Sequence, residues 1–99
     1  MNNPFEMLSN LQGLTQKAEE LKSRMKEIKV TGSSGAGLVE VCINGDYEVL
    51  SIKIDPVLMK SDQAATTEVL IASAFNTASS SMKARLQSEM ASLYSGFAQ

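Results

Sequence analysis

The sequence contains no histidine and no tryptophan, one cysteine, two prolines and no long apolar run. Each absence removes a class of function. Without histidine the chain lacks the commonest general base and the commonest metal ligand of neutral solution. Carboxylates do occur near turns, at Asp46, Asp55 and Asp62, where hydrogen bonding to nearby backbone accounts for them. No metal or other cofactor is expected. The lone Cys42 has no partner for an internal disulfide and reads as a buried thiol in a reducing compartment. No stretch approaches the roughly 18 apolar residues of a bilayer span, and no basic-then-apolar leader precedes Asn2-Asn3-Pro4. The first helical stretch carries only Phe5 as an aromatic anchor, thin for a helix lying in a membrane surface. A cytoplasmic protein without membrane association is expected.

Two further motifs invite chemistry and do not sustain it. Ser79-Ser80-Ser81 has no base near it in sequence and suits small-residue helix packing. The run Gly32-Ser33-Ser34-Gly35-Ala36-Gly37 lacks the Gly-Lys-Ser/Thr ending of a phosphate loop and leads into a strand, so it reads as a hairpin loop. Catalysis is not expected. Charge adds a constraint of its own. Nine cations against eleven carboxylates give a net charge of −2, which argues against indiscriminate binding of polyanions. The 99 residues suit one small domain, 1–99, whose thin core self-association would supplement.

What is present is organised around residues 38–56. Val39, Val41 and Ile43 alternate with Glu40, Cys42 and Asn44, the period of a half-buried strand. After Asn44-Gly45-Asp46 the phase flips, and Leu50, Ile52 and Ile54 become the apolar set. Both sets share a face only if paired residue numbers sum to an odd value. A two-residue loop of type I′ at Asn44-Gly45-Asp46 satisfies that requirement. Asp55-Pro56 then ends the strand, since proline cannot donate to the ladder.

Upstream, Asn2-Asn3-Pro4 is a helix start. Met7, Leu11, Leu14, Ala18, Leu21, Met25 and Ile28 follow at strict 4-3 spacing, a heptad seam with d at Met7 and a at Leu11. Lys17 and Arg24 fall at g, Lys22 and Lys29 at e, and the glutamates Glu19, Glu20 and Glu27 at b and c. Cations on both flanks oppose parallel pairing with a second copy of the same helix. Around Glu27 the period changes, and Ile28 and Val30 read as a short first strand running into a loop over residues 31–37. Ser61-Asp62 offers the next N-cap, and about Gln63 to Leu93 reads as one long helix with Gly96 as its stop. No charge occurs over residues 69–82, so that stretch is expected to be enclosed on more than one side. Helices of this length must overhang a small sheet. The start of the first and the end of the last are expected to pair antiparallel as a protruding arm.

Two blocks carry a family resemblance. The first is Gly35-Ala36-Gly37-Leu38-Val39-Glu40-Val41-Cys42-Ile43-Asn44-Gly45, followed by Val49-Leu50-Ser51-Ile52-Lys53-Ile54-Asp55-Pro56. The second is Glu68-Val69-Leu70-Ile71-Ala72-Ser73-Ala74-Phe75-Asn76-Thr77-Ala78. At this spacing the chain resembles the YbaB/EbfC family of bacterial nucleoid-associated proteins over nearly its full length. Val69 and Thr77 depart from it, standing where aspartate is common. The resemblance implies an α+β fold, α-β-β-β-α, with an N-terminal helix, a three-stranded antiparallel sheet and a long C-terminal helix. It also implies a homodimer with two projecting helical arms, binding double-stranded DNA in nucleoid organisation and sometimes gene regulation. No short contact motif defines the family, so the candidate DNA-binding residues rest on charge: Lys17, Lys22, Arg24 and Lys26 of the first helix, Lys83 and Arg85 of the last. The dimer interface is expected at strand edges and on the uncharged face of residues 69–82. The competing reading is a protein-interaction module gripping a partner with apolar arm tips, Phe5, Met7 and Leu8 near Leu93, Tyr94 and Phe97.

Overall fold

The structure, a computed structural model, describes residues 3–98, and the side chains of all of these except residues 94 and 96–98. Helix α1 (Pro4–Glu27) starts where the chemistry of its first residues dictates. The Asn3 side chain accepts a hydrogen bond from the Glu6 N–H at 2.7 Å, and Pro4 occupies the first turn, where its missing N–H costs nothing. The helix ends as Ile28 turns extended. Strands β1 (Lys29–Ser34), β2 (Val39–Asn44) and β3 (Val49–Ile54) form an antiparallel sheet in that order. Two single 3-10 turns, Pro56–Leu58 and Ser61–Gln63, lead into α2 (Ala64–Ala98). The element order is the expected α-β-β-β-α. Gly96 lies inside α2 and does not stop it.

Helix α2 covers one face of the sheet, over β1 and β2. Val39, Val41 and Ile43 of β2 and Ala74, Ala78 and Met82 of α2 are buried, and Leu58 closes one end. The β1 residues opposite them are Val30, Gly32 and Ser34, since Val30 pairs with Ile43, Gly32 with Val41 and Ser34 with Val39. These are small for a reason. A Cβ on Gly32 would lie 2.2 Å from the Ala74 carbonyl oxygen and 2.4 Å from the Ala78 nitrogen, inside the backbone of α2. Ser34 Oγ donates to the Leu70 carbonyl at 2.5 Å. The stretch read as a loop from Thr31 is therefore strand as far as Ser34, because its small residues are what the helix requires. Only Gly35-Ala36-Gly37-Leu38 turns, its first three residues at positive φ.

The second hairpin reaches the expected pairing by another route. Val39 pairs with Ile54, Val41 with Ile52 and Cys42 with Ser51, all odd sums. The loop is not a two-residue type I′ turn. Tyr47 N–H donates to the Asn44 carbonyl at 2.9 Å, Asn44 N–H to the Glu48 carbonyl at 3.1 Å, and Tyr47 alone takes positive φ, +60°. This is a three-residue loop with a left-handed third residue. Ile43 then pairs with Val49, and the register shifts before Cys42 pairs with Ser51, leaving Leu50 as the extra residue of a bulge. The bulge restores the parity that the odd loop broke. Gly45 serves a different need: a Cβ there would meet the Met25 carbonyl oxygen at 2.0 Å, where α1 ends against this turn. Cys42 faces the polar side of the sheet and is half-buried rather than buried.

Beyond the sheet the two helices do not run together for their whole length. Past Gly32, α2 continues roughly 30 Å, while the start of β1 and α1 extend roughly 48 Å in the same direction. Helix α1 outruns α2 by about 18 Å, or about twelve residues. The molecule measures 71 × 24 × 15 Å, as that reckoning requires. No residue of α1 is buried. Leu21, Met25 and Ile28 are half-covered, whereas Met7, Leu11 and Leu14 are 56–64% exposed. The end of α2 meets the middle of α1, not its start.

Two glycine substitutions separate packing from helix propensity. Gly32→Ala should lower the unfolding free energy by about 3 kcal/mol, because helix backbone rather than a flexible side chain occupies the space. Gly13→Ala meets nothing within 4 Å and should raise it by about 0.5–1 kcal/mol. Urea unfolding of both variants reads the two signs.

Candidate nucleic-acid interface

The helix geometry decides which of the candidate cations share a face. At about 100° per residue, Lys17 and Arg24 project from one flank of the α1 seam and Lys22 from the other, with Lys26 further round. Glu19, Glu20 and Glu27 occupy the side away from the seam. Lys17, Arg24 and Leu93 line a groove where α1 passes the end of α2, together with Ala18, Glu20 and Leu21. It continues into a cleft of ≈ 360 Å³ walled by Leu21, Met25, Ile28 and Leu93, with Arg24, Glu89 and Ser92. Lys17 and Arg24 are thus the pair the fold brings nearest to α2.

On α2 the pair separates. Lys83 and Arg85 diverge by about 160° around the helix axis. Arg85 follows the buried line of Ala74, Ala78 and Met82 past the end of the sheet and pairs with Glu89 at 3.2 Å. Lys83 is exposed on the opposite side. Lys26 is drawn to the β2–β3 loop, its Nζ 3.8 Å from Glu48 Oε1. All six candidates are exposed, but they form two flanks and not one patch. Lys29, outside the candidate set, is exposed at the first position of β1, close in sequence to Lys26. Its heptad position beside the seam was the signal available for it.

Around the loop, polar groups are matched closely. The buried Asn44 accepts at Oδ1 from the Asp46 and Glu48 N–H groups, both at 3.0 Å, and donates from Nδ2 to Glu48 Oε1 at 3.0 Å. That hydrogen bond, followed by the charge of Lys26, holds the Glu48 carboxyl below the ordinary carboxylate value near 4.5. Among the described residues no cluster of three or more histidine, cysteine or carboxylate side chains is placed to hold a metal ion. None of the described helices is long and apolar enough to cross a membrane.

The chain is a small sheet under one long helix, with a second helix projecting from it and charge on both flanks of that helix's seam. The whole-chain comparison names the class more closely. Residues 1–97 match the model of the YbaB/EbfC DNA-binding family, and the chain belongs to that family. It is 38% identical over 96 residues to a nucleoid-associated protein of Paramagnetospirillum magneticum, covering 90% of each chain. It is 32% identical over 96 residues to a nucleoid-associated protein of Dictyoglomus thermophilum, covering 97% of this chain and 92% of that one. The fold is shared with the crystal structure of an uncharacterized protein, HP0035 of Helicobacter pylori, at a TM-score of 0.74 and 20% identity, over 95% of this chain and 99% of that one. The family is a DNA-binding one, not a class of enzymes.

The lowered pKa of Glu48 has a readable consequence. A carboxylate favoured in the folded state contributes stability that is complete above about pH 4.5 and lost as pH falls through its lowered folded value. Lys26→Met should move the Glu48 titration, followed by carboxyl-carbon NMR, back towards 4.5 while leaving the Asn44 contribution in place. No movement would mean that Lys26 does not act on Glu48 in solution.

Proposed function

We propose that this protein acts as a nucleoid-associated homodimer that binds double-stranded DNA largely through phosphate contacts, in nucleoid organisation and gene regulation within the bacterial cytoplasm. The family's DNA-binding character and the relatives' nucleoid-associated names support the reading. The observation in this chain that carries it is the exposed cationic flanking of the α1 seam. Over residues 17–29 five cations stand against three glutamates, a local excess in a chain that is acidic as a whole. Lys17, Lys22, Arg24 and Lys26 supply the α1 contacts, Lys83 and Arg85 those of α2. Such contacts fix position on a duplex without reading bases, so sequence preference is modest.

What α2 leaves uncovered supports self-association. Every residue of β3 from Val49 to Lys53 is exposed, although Val49, Leu50 and Ile52 are apolar and each remains 47% accessible. An apolar edge strand with unpaired backbone groups is a template for a second strand. We assign the dimer interface to this edge together with the uncharged outer face of α2 around Val69, Ser73, Asn76 and Ser80. Half-burying three such side chains on each protomer returns about 6 kcal/mol, near the lower estimates of the cost of association. The backbone bonds of the edge and the α2 face supply the surplus.

The second reading, an arm that grips a protein partner, has support in Phe5 at 81% exposure and in Met7 and Leu8. Leu93 is half-covered, and the side chains of Tyr94 and Phe97 lie outside the described residues. A partner retained at high salt, with no duplex bound at about 50 mM salt where phosphate contacts are strongest, would favour it.

With about four of these six cations on phosphate in each protomer, about eight contacts per dimer, log K should fall against log salt with a slope near −7. Lys17→Glu with Lys22→Glu and Arg24→Glu should weaken binding to all duplexes alike. Unchanged binding of that triple variant in a low-salt gel shift would exclude these residues. Ile52→Glu should convert the dimer to monomer by light scattering, and a variant that remains dimeric would move the interface away from β3.

A further inference from the structure

Helix α1 is two helices in one. Over residues 17–27 it is densely charged and runs beside α2, whereas over residues 4–16 it carries Glu6 as its only charged residue. That first half lies beyond the reach of α2 and keeps Met7, Leu8, Leu11 and Leu14 more than half exposed. Leu8 and Leu11 line a shallow groove with Gln12, Thr15 and Gln16 on the same surface. An apolar stripe this continuous on a water-facing helix marks a contact surface.

We propose that the first half of α1 pairs antiparallel with the same segment of a second copy of this chain. The flanks select the occupant and the direction. Parallel pairing would align the whole helix, setting the cations Lys17, Lys22 and Arg24 of one copy against those of the other. The antiparallel register that places Leu11 against Leu14 of the second copy forms two central leucine layers, with Met7 against Ala18 outside them. In that register the e positions bring Leu8 against Thr15 and the g positions bring Asn10 against Lys17, with no like-charge contact on either side. The charged halves then point away from one another. An interface of four layers buries a few hundred Å² per chain, below the roughly 800 Å² per partner of a stable complex. The contact is therefore weak between free molecules and adds to binding when several are held on one duplex, where effective concentration is high. The pairing itself does not rest on DNA binding and is tested without it.

In a Cys42→Ser background, Leu11→Cys and Leu14→Cys proteins, one bearing an affinity tag, are mixed at high concentration under mild oxidation. The disulfide joining position 11 to position 14 of the other copy should exceed each like-with-like disulfide by about tenfold, because bridging needs Cα atoms within about 7 Å. Equal yields, an excess of 11-to-11 and 14-to-14 bridges, or no bridge overturns the proposal. Leu11→Glu with Leu14→Glu provides the second arm. These side chains are exposed, so circular dichroism should be unchanged while concentration-dependent association beyond the dimer disappears in sedimentation velocity. Association equal to that of the unmodified protein overturns the proposal independently of the cross-links.

Discussion

The fold depends on how closely α2 lies against β1. That distance is set by side chains that are missing: Gly32 has no Cβ to meet the Ala74 and Ala78 backbone, and Ala74 and Ala78 are themselves small enough to be fully buried there. Close backbone approach also lets Ser34 Oγ donate to the Leu70 carbonyl, so the strand grips the helix through a polar bond at one end and steric fit in the middle. Larger side chains return where there is depth for them, in Val39, Val41 and Ile43 of β2 and Met82 of α2. The core is consequently narrow, one strand pair wide, and seated to one side of the sheet.

That offset explains what the single chain leaves unfinished. A helix centred over β1 and β2 cannot also cover β3, whose residues at the Ile52 and Ile54 positions share the face of Val41 and Val39 by cross-strand pairing. Ile54 finds partial cover against the core, while Ile52 stays nearly half exposed. On the other side of the sheet Glu40, Ser51 and Lys53 are polar and need no cover. The molecule is one layer of helix on one sheet, open along one apolar edge. Small domains commonly reach stability by borrowing surface from a partner, and this chain has its apolar surplus on a strand edge, where a partner also satisfies backbone groups.

The parts of the fold written in local periodicity were legible in the sequence: the α1 seam, the alternation of β2, the capping at Asn3 and the unbroken α2. What escaped was set by contacts between elements. Gly32 and Ser34 help give the stretch from Thr31 the composition of a loop because a helix backbone sits on them, and no local pattern distinguishes smallness for flexibility from smallness for close packing. Gly45 has the character of a type I′ turn residue, whereas the left-handed residue is Tyr47 and the glycine makes room for the end of α1. The pairing parity was correct although the turn was not, because burial of one face constrains register and leaves loop and bulge free to satisfy it in more than one way. For the candidate interface, sequence supplied the cations and their heptad flanks. It did not supply their separation into two flanks, the attachment of Lys26 to Glu48, or that of Arg85 to Glu89.

The pairing of Lys26 with Glu48 and of Arg85 with Glu89 bears on how an acidic protein meets a polyanion. Both pairs are more than 40% exposed, so each carboxylate holds its cation weakly and water competes for both. A phosphate that replaces the carboxylate in such a pair releases a counterion from the duplex as well, and the exchange is favoured by the density of charge along DNA rather than by the strength of any one contact. Carboxylates beside the cations then reduce affinity for isolated anions more than for a duplex, because only the duplex offers several phosphates at once. Net charge is in that case a filter and not a barrier. On the DNA-binding reading proposed above, it would discriminate against scattered anions, while the cations along α1 would retain a ligand whose charges come in rows.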